Sequence, residues 1–287
     1  MKVSMIGLGK VGSAAAFSLL NNKKIDEISL IDIIPGKLEG EYLDLLHAIG
    51  GLNSNIKLNY SEKIEDVRDS HLIIVTAGFP RKSEVSRLDL AISNSKIIKD
   101  ITEKIKRVEK DCLILMVTNP VDINTYIALK VSGFKREHVF GMSSILDFFR
   151  FKTVESQAKM ILGEHGNSMV FIPFDSTEES KEYTKNISKK IIKLKGGTWW
   201  APAVAISNIV DSIVNDKKDV KLVSTLLNGE YGIKDVCLGV PSRIGINGIE
   251  KIIEIVLKEE ELKMLKKSAN ILRDVIMDCE KNLNLTF

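Results

Sequence analysis

Six short apolar runs rich in β-branched residues recur along the first 140 residues: "KVSMIG" (2–7), "ISLID" (28–32), "NIKLNY" (55–60), "HLIIVTA" (71–77), "CLILMVTN" (112–119) and "HVFG" (138–141). Between most of them lie longer stretches with helical spacing, at 10–22, 38–49, 88–109 and 122–132. A strand that is apolar on both sides must be covered on both sides, and a helix after a strand carries the chain back to the end where the next strand starts. The pattern therefore predicts an α/β domain over residues 1–140: a doubly wound parallel sheet with helices on both faces.

After residue 141 the texture changes. "DVCLGVPSRIGINGIEKIIEI" holds two β-rich runs joined by a Gly/Asn turn signal, which predicts an antiparallel hairpin. Between 258 and 283, Leu262, Leu265, Ala269, Leu272, Val275, Ile276 and Cys279 fall on one helical stripe. Residues 141–287 thus read as a second, mixed α+β domain closed by a long amphipathic helix. No low-complexity linker separates it from the first, so the two halves are expected to pack tightly.

Charge narrows the function classes. The 287 residues carry a formal net charge of only +3, with the basic residues scattered among nearly as many acids. No basic arm or face points to nucleic acid or an anionic membrane. No run of eighteen apolar residues offers a membrane span, and the N-terminus reaches glycines before it could form a signal peptide. Cys112, Cys237 and Cys279 are far apart and lie within apolar patterns, so they read as buried thiols in a reducing compartment, and the cytoplasm is the expected location.

Gly7, Gly9 and Gly12 form G-x-G-x-x-G between the first strand and the first helical pattern. In that setting Gly7 permits a tight turn, Gly9 lets main chain approach a pyrophosphate, and Gly12 lets the helix pack closely, its N-terminus facing the anion. Asp32 ends the second strand, where a carboxylate can accept from the adenosine ribose and would repel a 2′-phosphate. The cofactor expected is NAD.

"ILGEHGNSMV" (161–170) sets His165 between Gly163 and Gly166, in a turn after an apolar run. Oxidising an alcohol needs a base for the hydroxyl proton, and imidazole titrates in the right range. "SSILDFFRF" (143–151) supplies Asp147, which could orient the imidazole, and Arg150, whose planar fork suits a substrate carboxylate; in a helix the two share a face. The set would act without a metal.

Taken together, "GLGKVG", "LIDI", "TAGFPRKSEVSRLDL", "VTNPVD", "SSILDFFRF", "GEHG" and "KGGTWWAPA" resemble the lactate/malate dehydrogenase family in order and over essentially the whole chain. The resemblance implies an N-terminal Rossmann domain and a substrate domain. It also implies that His165 and Asp147 are the proton-transfer pair and that Arg150 binds the C1 carboxylate of a 2-hydroxy acid. Asn119 would bond substrate and line the nicotinamide pocket, Thr198 would sit near the reacting group, and Asn94 would touch the nicotinamide ribose. Leu8, Lys10, Val11 and Val117 would complete the cofactor site with the glycines. Arg87 would polarise the substrate carbonyl, and Arg81 would grip a second carboxylate, where a glutamine goes with lactate.

Three of only eight arginines, Arg81, Arg87 and Arg150, fall at these positions in a chain that otherwise uses lysine. A bidentate fork is what lysine cannot supply. The expected activity is therefore an NAD-dependent malate dehydrogenase acting on a small dicarboxylic acid, with a lactate or broader 2-hydroxy acid dehydrogenase as the alternative. An NAD-dependent glycosidase would need metal ligands that the site residues do not include, and a non-catalytic NAD sensor would not need the His/Asp/Arg set. Only fourteen residues separate Arg150 from His165, shorter than is usual in the family. A homodimer or homotetramer is expected, because the apolar helical faces at 38–49 and 258–283 require cover.

Overall fold

The computed structural model describes residues 1–80 and 86–285. Its first half runs β1 (Lys2–Ile6), α1 (Lys10–Leu19), β2 (Glu27–Ile31), α2 (Pro35–Leu52), β3 (Lys57–Ser61), β4 (Leu72–Val75), α3 (Arg87–Val108), β5 (Leu113–Met116), α4 (Val121–Ser132) and β6 (Val139–Gly141). The six strands pair in parallel in the order β3-β2-β1-β4-β5-β6. All of β4 and β5 is buried, as runs without polar alternation require. The order reverses between β1 and β4, and the crevice above such a reversal, at the carboxyl ends of the strands, is where open α/β sheets bind ligands.

Local chemistry sets the helix ends. Pro35 starts α2, where its fixed φ costs no hydrogen bond, and Asn53 closes it in the left-handed region. Ser86 caps α3 by accepting from the Asp89 N–H at 3.0 Å. Gly133, at φ 67°, ends α4.

The second half contains α5 (Ser144–Phe151), β7 (Met160–Leu162), β8 (Val170–Ile172), α6 (Glu178–Lys195), α7 (Trp200–Val214), β9 (Asp219–Asn228), β10 (Lys234–Gly245), β11 (Gly248–Ile252) and α8 (Glu259–Asn282). The hairpin expected from the Gly/Asn signal is β10–β11. Strand β9 carries no comparable signal, because Val220, Val223 and Leu227 would share a helical face equally well. Its antiparallel pairing with β10 makes it a strand, and Gly141 beside Ser224 joins it to β6. The two halves thereby share one nine-stranded sheet, α/β with a mostly parallel centre, while β7 and β8 form a separate pair.

Helix α8 corrects one expectation. Leu265, Ala269, Leu272, Ile276 and Cys279 are buried within the chain, and Leu262 and Val275 pack against the same core. That stripe is covered intramolecularly and asks for no partner.

Candidate active site

The three glycines of the first loop face three different situations. Gly7 has φ +96°, and a Cβ there would lie 2.5 Å from the Ala77 nitrogen just beyond β4. At Gly12 a Cβ would lie 1.9 Å from the Gly7 carbonyl oxygen, so α1 could not rest on the loop. Gly9 is different: its φ of −72° suits any residue, and a Cβ would meet no heavy atom within 4 Å. It faces open space at the start of α1, which has no side-chain cap and no acid in its first turn. A helix end of that kind receives anions on main-chain N–H groups, so the cradle fits a dinucleotide pyrophosphate.

A contrast between two substitutions follows. Gly12→Ala should destabilise the fold by about 2 kcal/mol or more, because main chain must shift to admit the methyl group. Gly9→Ala should leave the thermal midpoint almost unchanged and weaken NADH binding by about tenfold, since its methyl group would occupy the space left for the pyrophosphate. Thermal unfolding and an NADH fluorescence titration check the pair, and equal NADH affinity in Gly9→Ala and native protein would refute the cradle.

Asp32 stands at the end of β2 beside the loop. One carboxylate oxygen accepts from the Leu8 N–H at 2.6 Å and the other from the Ile34 N–H at 3.1 Å. Each oxygen keeps a lone pair for a ribose hydroxyl. Leu8 is itself a core side chain, so only its main chain borders the crevice. The Lys10 ammonium lies 4.8 Å from the centre of the Trp199 ring, and the half-buried Val11 completes the first turn of α1.

Across the crevice, Val117 and Asn119 follow β5, Val117 buried and Asn119 exposed. Asn94 on α3 clasps the rim: its Oδ1 accepts from the Phe79 N–H at 2.7 Å, and its Nδ2 donates to the Asn119 carbonyl at 2.7 Å and the Phe79 carbonyl at 3.1 Å. It thus ties the start of the arginine-bearing segment to the end of β5. Arg81 lies outside the described residues. Arg87 opens α3, and its side chain also lies outside them.

Helix α5 and the turn after β7 bring the chemical residues together. His165 Nδ1 is 2.6 Å from Asp147 Oδ2, and Arg150 donates to Asp147 Oδ1 at 3.0 Å. Asp147, 1% exposed, is therefore shared by an imidazole and a guanidinium. Carboxylate acceptance at Nδ1 fixes the proton there and leaves Nε2 as the free ring nitrogen. Burial works against a proton on His165, but the charge of Asp147 and its hydrogen bond outweigh it and raise the pKa above that of an ordinary histidine. The imidazolium is thereby held to higher pH than in a free side chain.

Sequence reasoning passed over Asp122. It sits in the first turn of α4, where every residue from Val121 to Leu129 is buried. Its Oδ2 accepts from the main-chain N–H of His165 at 2.7 Å, and burial pushes its carboxyl up to about 6. The readable signal was an acid that is the sole charged residue from Val121 to Leu129, in a helix with no charged face to place it on. Thr198, half-buried in the two-glycine bend between α6 and α7, takes no part in the hydrogen bonds around His165 among the described residues. The three cysteines are free and buried, and burial pushes the Cys112 thiol up to about 12, which leaves it inert.

Comparison with known proteins shows the family to which the chain belongs. Residues 1–141 match the NAD binding domain of lactate/malate dehydrogenase, and residues 149–283 match the alpha/beta C-terminal domain of the same family. The malate dehydrogenase of Archaeoglobus fulgidus is 41% identical over 288 residues, 96% of this chain and 98% of that protein. The L-lactate dehydrogenase of Acetivibrio thermocellus is 37% identical over 306 residues, 96% of each. The structure of the Archaeoglobus fulgidus malate dehydrogenase in complex with NADH superimposes with a TM-score of 0.92 at 39% identity, covering 97% of this chain and 99% of that one.

Proposed function

Because this chain belongs to the lactate/malate dehydrogenase family and carries its NAD-binding domain, we propose that it is an NAD-dependent malate dehydrogenase interconverting malate and oxaloacetate. The observation that carries the reaction is Asp147, shared between the His165 imidazole and the Arg150 guanidinium. We read the division of labour as falling near residue 141, with the cofactor held before it and the proton-transfer set after it.

The bound cofactor supplies the acceptor for the hydride that leaves C2 of malate. His165 Nε2 takes the hydroxyl proton, and Asp147 holds the opposite N–H and stabilises the imidazolium. Arg150 keeps guanidinium donors beyond the one spent on Asp147, enough to bind the C1 carboxylate. Asn119 bonds the substrate at the end of β5, Thr198 borders the reacting group, and Arg87 sets positive charge against the oxygen that becomes an alkoxide on reduction.

Arg81 supports the choice of malate, because a second guanidinium pairs with the second carboxylate that lactate lacks. Similarity to the Acetivibrio thermocellus L-lactate dehydrogenase favours a second reading, a lactate or broader 2-hydroxy acid dehydrogenase. Steady-state kinetics with oxaloacetate and pyruvate, each against NADH and NADPH, separates them. Oxaloacetate with NADH is expected to give the highest kcat/KM; a higher value for pyruvate would overturn the proposal.

The same reading extends to assembly and location. Helix α1 packs against α2 and α7, and these helices expose Phe17, Leu43, Leu46, Trp200 and Val204. Large apolar side chains gathered on adjoining helices are characteristic of subunit contacts, so a homodimer or homotetramer through this face is expected. Sedimentation equilibrium should give at least twice the 32.0 kDa chain mass, and Leu46→Lys with Trp200→Lys should lower it. A 32.0 kDa native species would exclude this contact. Three buried free thiols suit a reducing cytoplasm.

A further inference from the structure

The mechanism leaves one buried carboxylate beside His165 unused. Asp122 is 2% exposed, and a neutral amide of the same shape would avoid the cost of burying a charge but could accept at only one of its two positions. Its contacts join the segments that carry the site. It belongs to the strand-to-helix turn that holds Asn119. Its Oδ1 accepts from the hydroxyl of Ser143, the N-cap of α5, which bears Asp147 and Arg150. Its Oδ2 accepts from the main-chain N–H of His165. On the other side, the His165 turn is anchored through Gly163 to Gly239 of β10 and by the Glu164 N–H donating to Ser268 of α8.

We propose that Asp122 is a positioning residue: its carboxylate fixes the main chain of His165 against the end of β5 and the start of α5, and its charge favours the imidazolium. This rests on reading His165 as the proton-transfer residue. The ionisable groups that face Asp122 are the His165 ring and Glu164 from the same turn, and the Cys237 thiol of β10, which burial holds protonated. The ring faces Asp147 and Arg150 as well, and of these groups Asp147 and Asp122 favour its proton while Arg150 opposes it.

The test uses the full chain. Asp122→Asn keeps an acceptor for the His165 N–H and removes the charge; Ser143→Ala keeps the charge and removes a donor that stabilises it. Asp122→Asn is expected to lower kcat for oxaloacetate by about tenfold with KM within about threefold, and Ser143→Ala to lower kcat by less. The ring resonance of His165, assigned by its absence in His165→Asn, should titrate at lower pH in Asp122→Asn than in native protein, and in Ser143→Ala between the two. Native kcat with native His165 titration in both variants would overturn the proposal, as would a lowered Tm with kcat per folded molecule unchanged. If Asp122→Asn does not fold, Ser143→Ala decides alone by the same two readings. The titration needs no turnover, so an inactive native protein would refute the assigned reaction while the positioning role is still read.

Discussion

His165→Asn should lose about 10³- to 10⁴-fold in kcat while binding NADH nearly as the native protein does. Asparagine can still donate from its amide toward Asp147, so the buried carboxylate keeps Arg150 and one further partner and the fold survives. What disappears is the imidazole proposed to take the proton from the alcohol while Asp147 stabilises the resulting cation. The pyrophosphate and ribose cradle is built from β1, β2 and the start of α1, and the hydrogen bonds of Asp32 there involve no residue of the turn that carries His165, so the cradle does not depend on the imidazole. Stopped-flow turnover with oxaloacetate and an NADH fluorescence titration measure the two quantities. A kcat within tenfold of native would remove His165 from the proton-transfer role.

Arg81→Gln should lower the ratio of kcat/KM for oxaloacetate to that for pyruvate by roughly 10²- to 10³-fold. The size follows from charge: a guanidinium that meets a carboxylate bidentately in a site closed to water is worth several tenfold steps, and glutamine offers one uncharged amide. Pyruvate has no second carboxylate, so it should lose little or gain. Most of the loss should appear for the dicarboxylate in kcat/KM, because the ion pair forms only with bound substrate. An unchanged ratio would take substrate choice away from Arg81 and leave the lactate dehydrogenase reading in force.

Much of the site was legible because its residues carry chemistry that their local pattern does not otherwise require. Glycines at 7, 9 and 12 follow an apolar strand and open a helix, and the positive φ of Gly7 and the contact of Gly12 on Gly7 show why two of them could not be replaced. Asp147 and Arg150 share a face once the segment is helical, and that spacing is readable before any coordinates exist. That the first six strands pair in parallel followed from apolar runs mostly separated by helical spacing; their order did not. Strand β9 was not legible, because its apolar residues suit a helix as well as a strand until β10 lies beside it. The intramolecular cover of α8 was also hidden: its stripe is visible in sequence, but whether the same chain or a second one covers it depends on where α3, α4, β8 and β10 end up.

The sequence by itself determined the doubly wound half and the NAD-binding family, and it supplied the side chains proposed to handle the proton and the acid. These rest on periodicity and on residue chemistry, which act over a few positions. Only the tertiary structure decided that Asp122, 43 residues away from His165, accepts its N–H, because that contact depends on folding bringing α4 and the turn after β7 side by side. A buried carboxylate is tolerated there since folding brings donors to both its oxygens, and nothing in the linear spacing of those donors announces it.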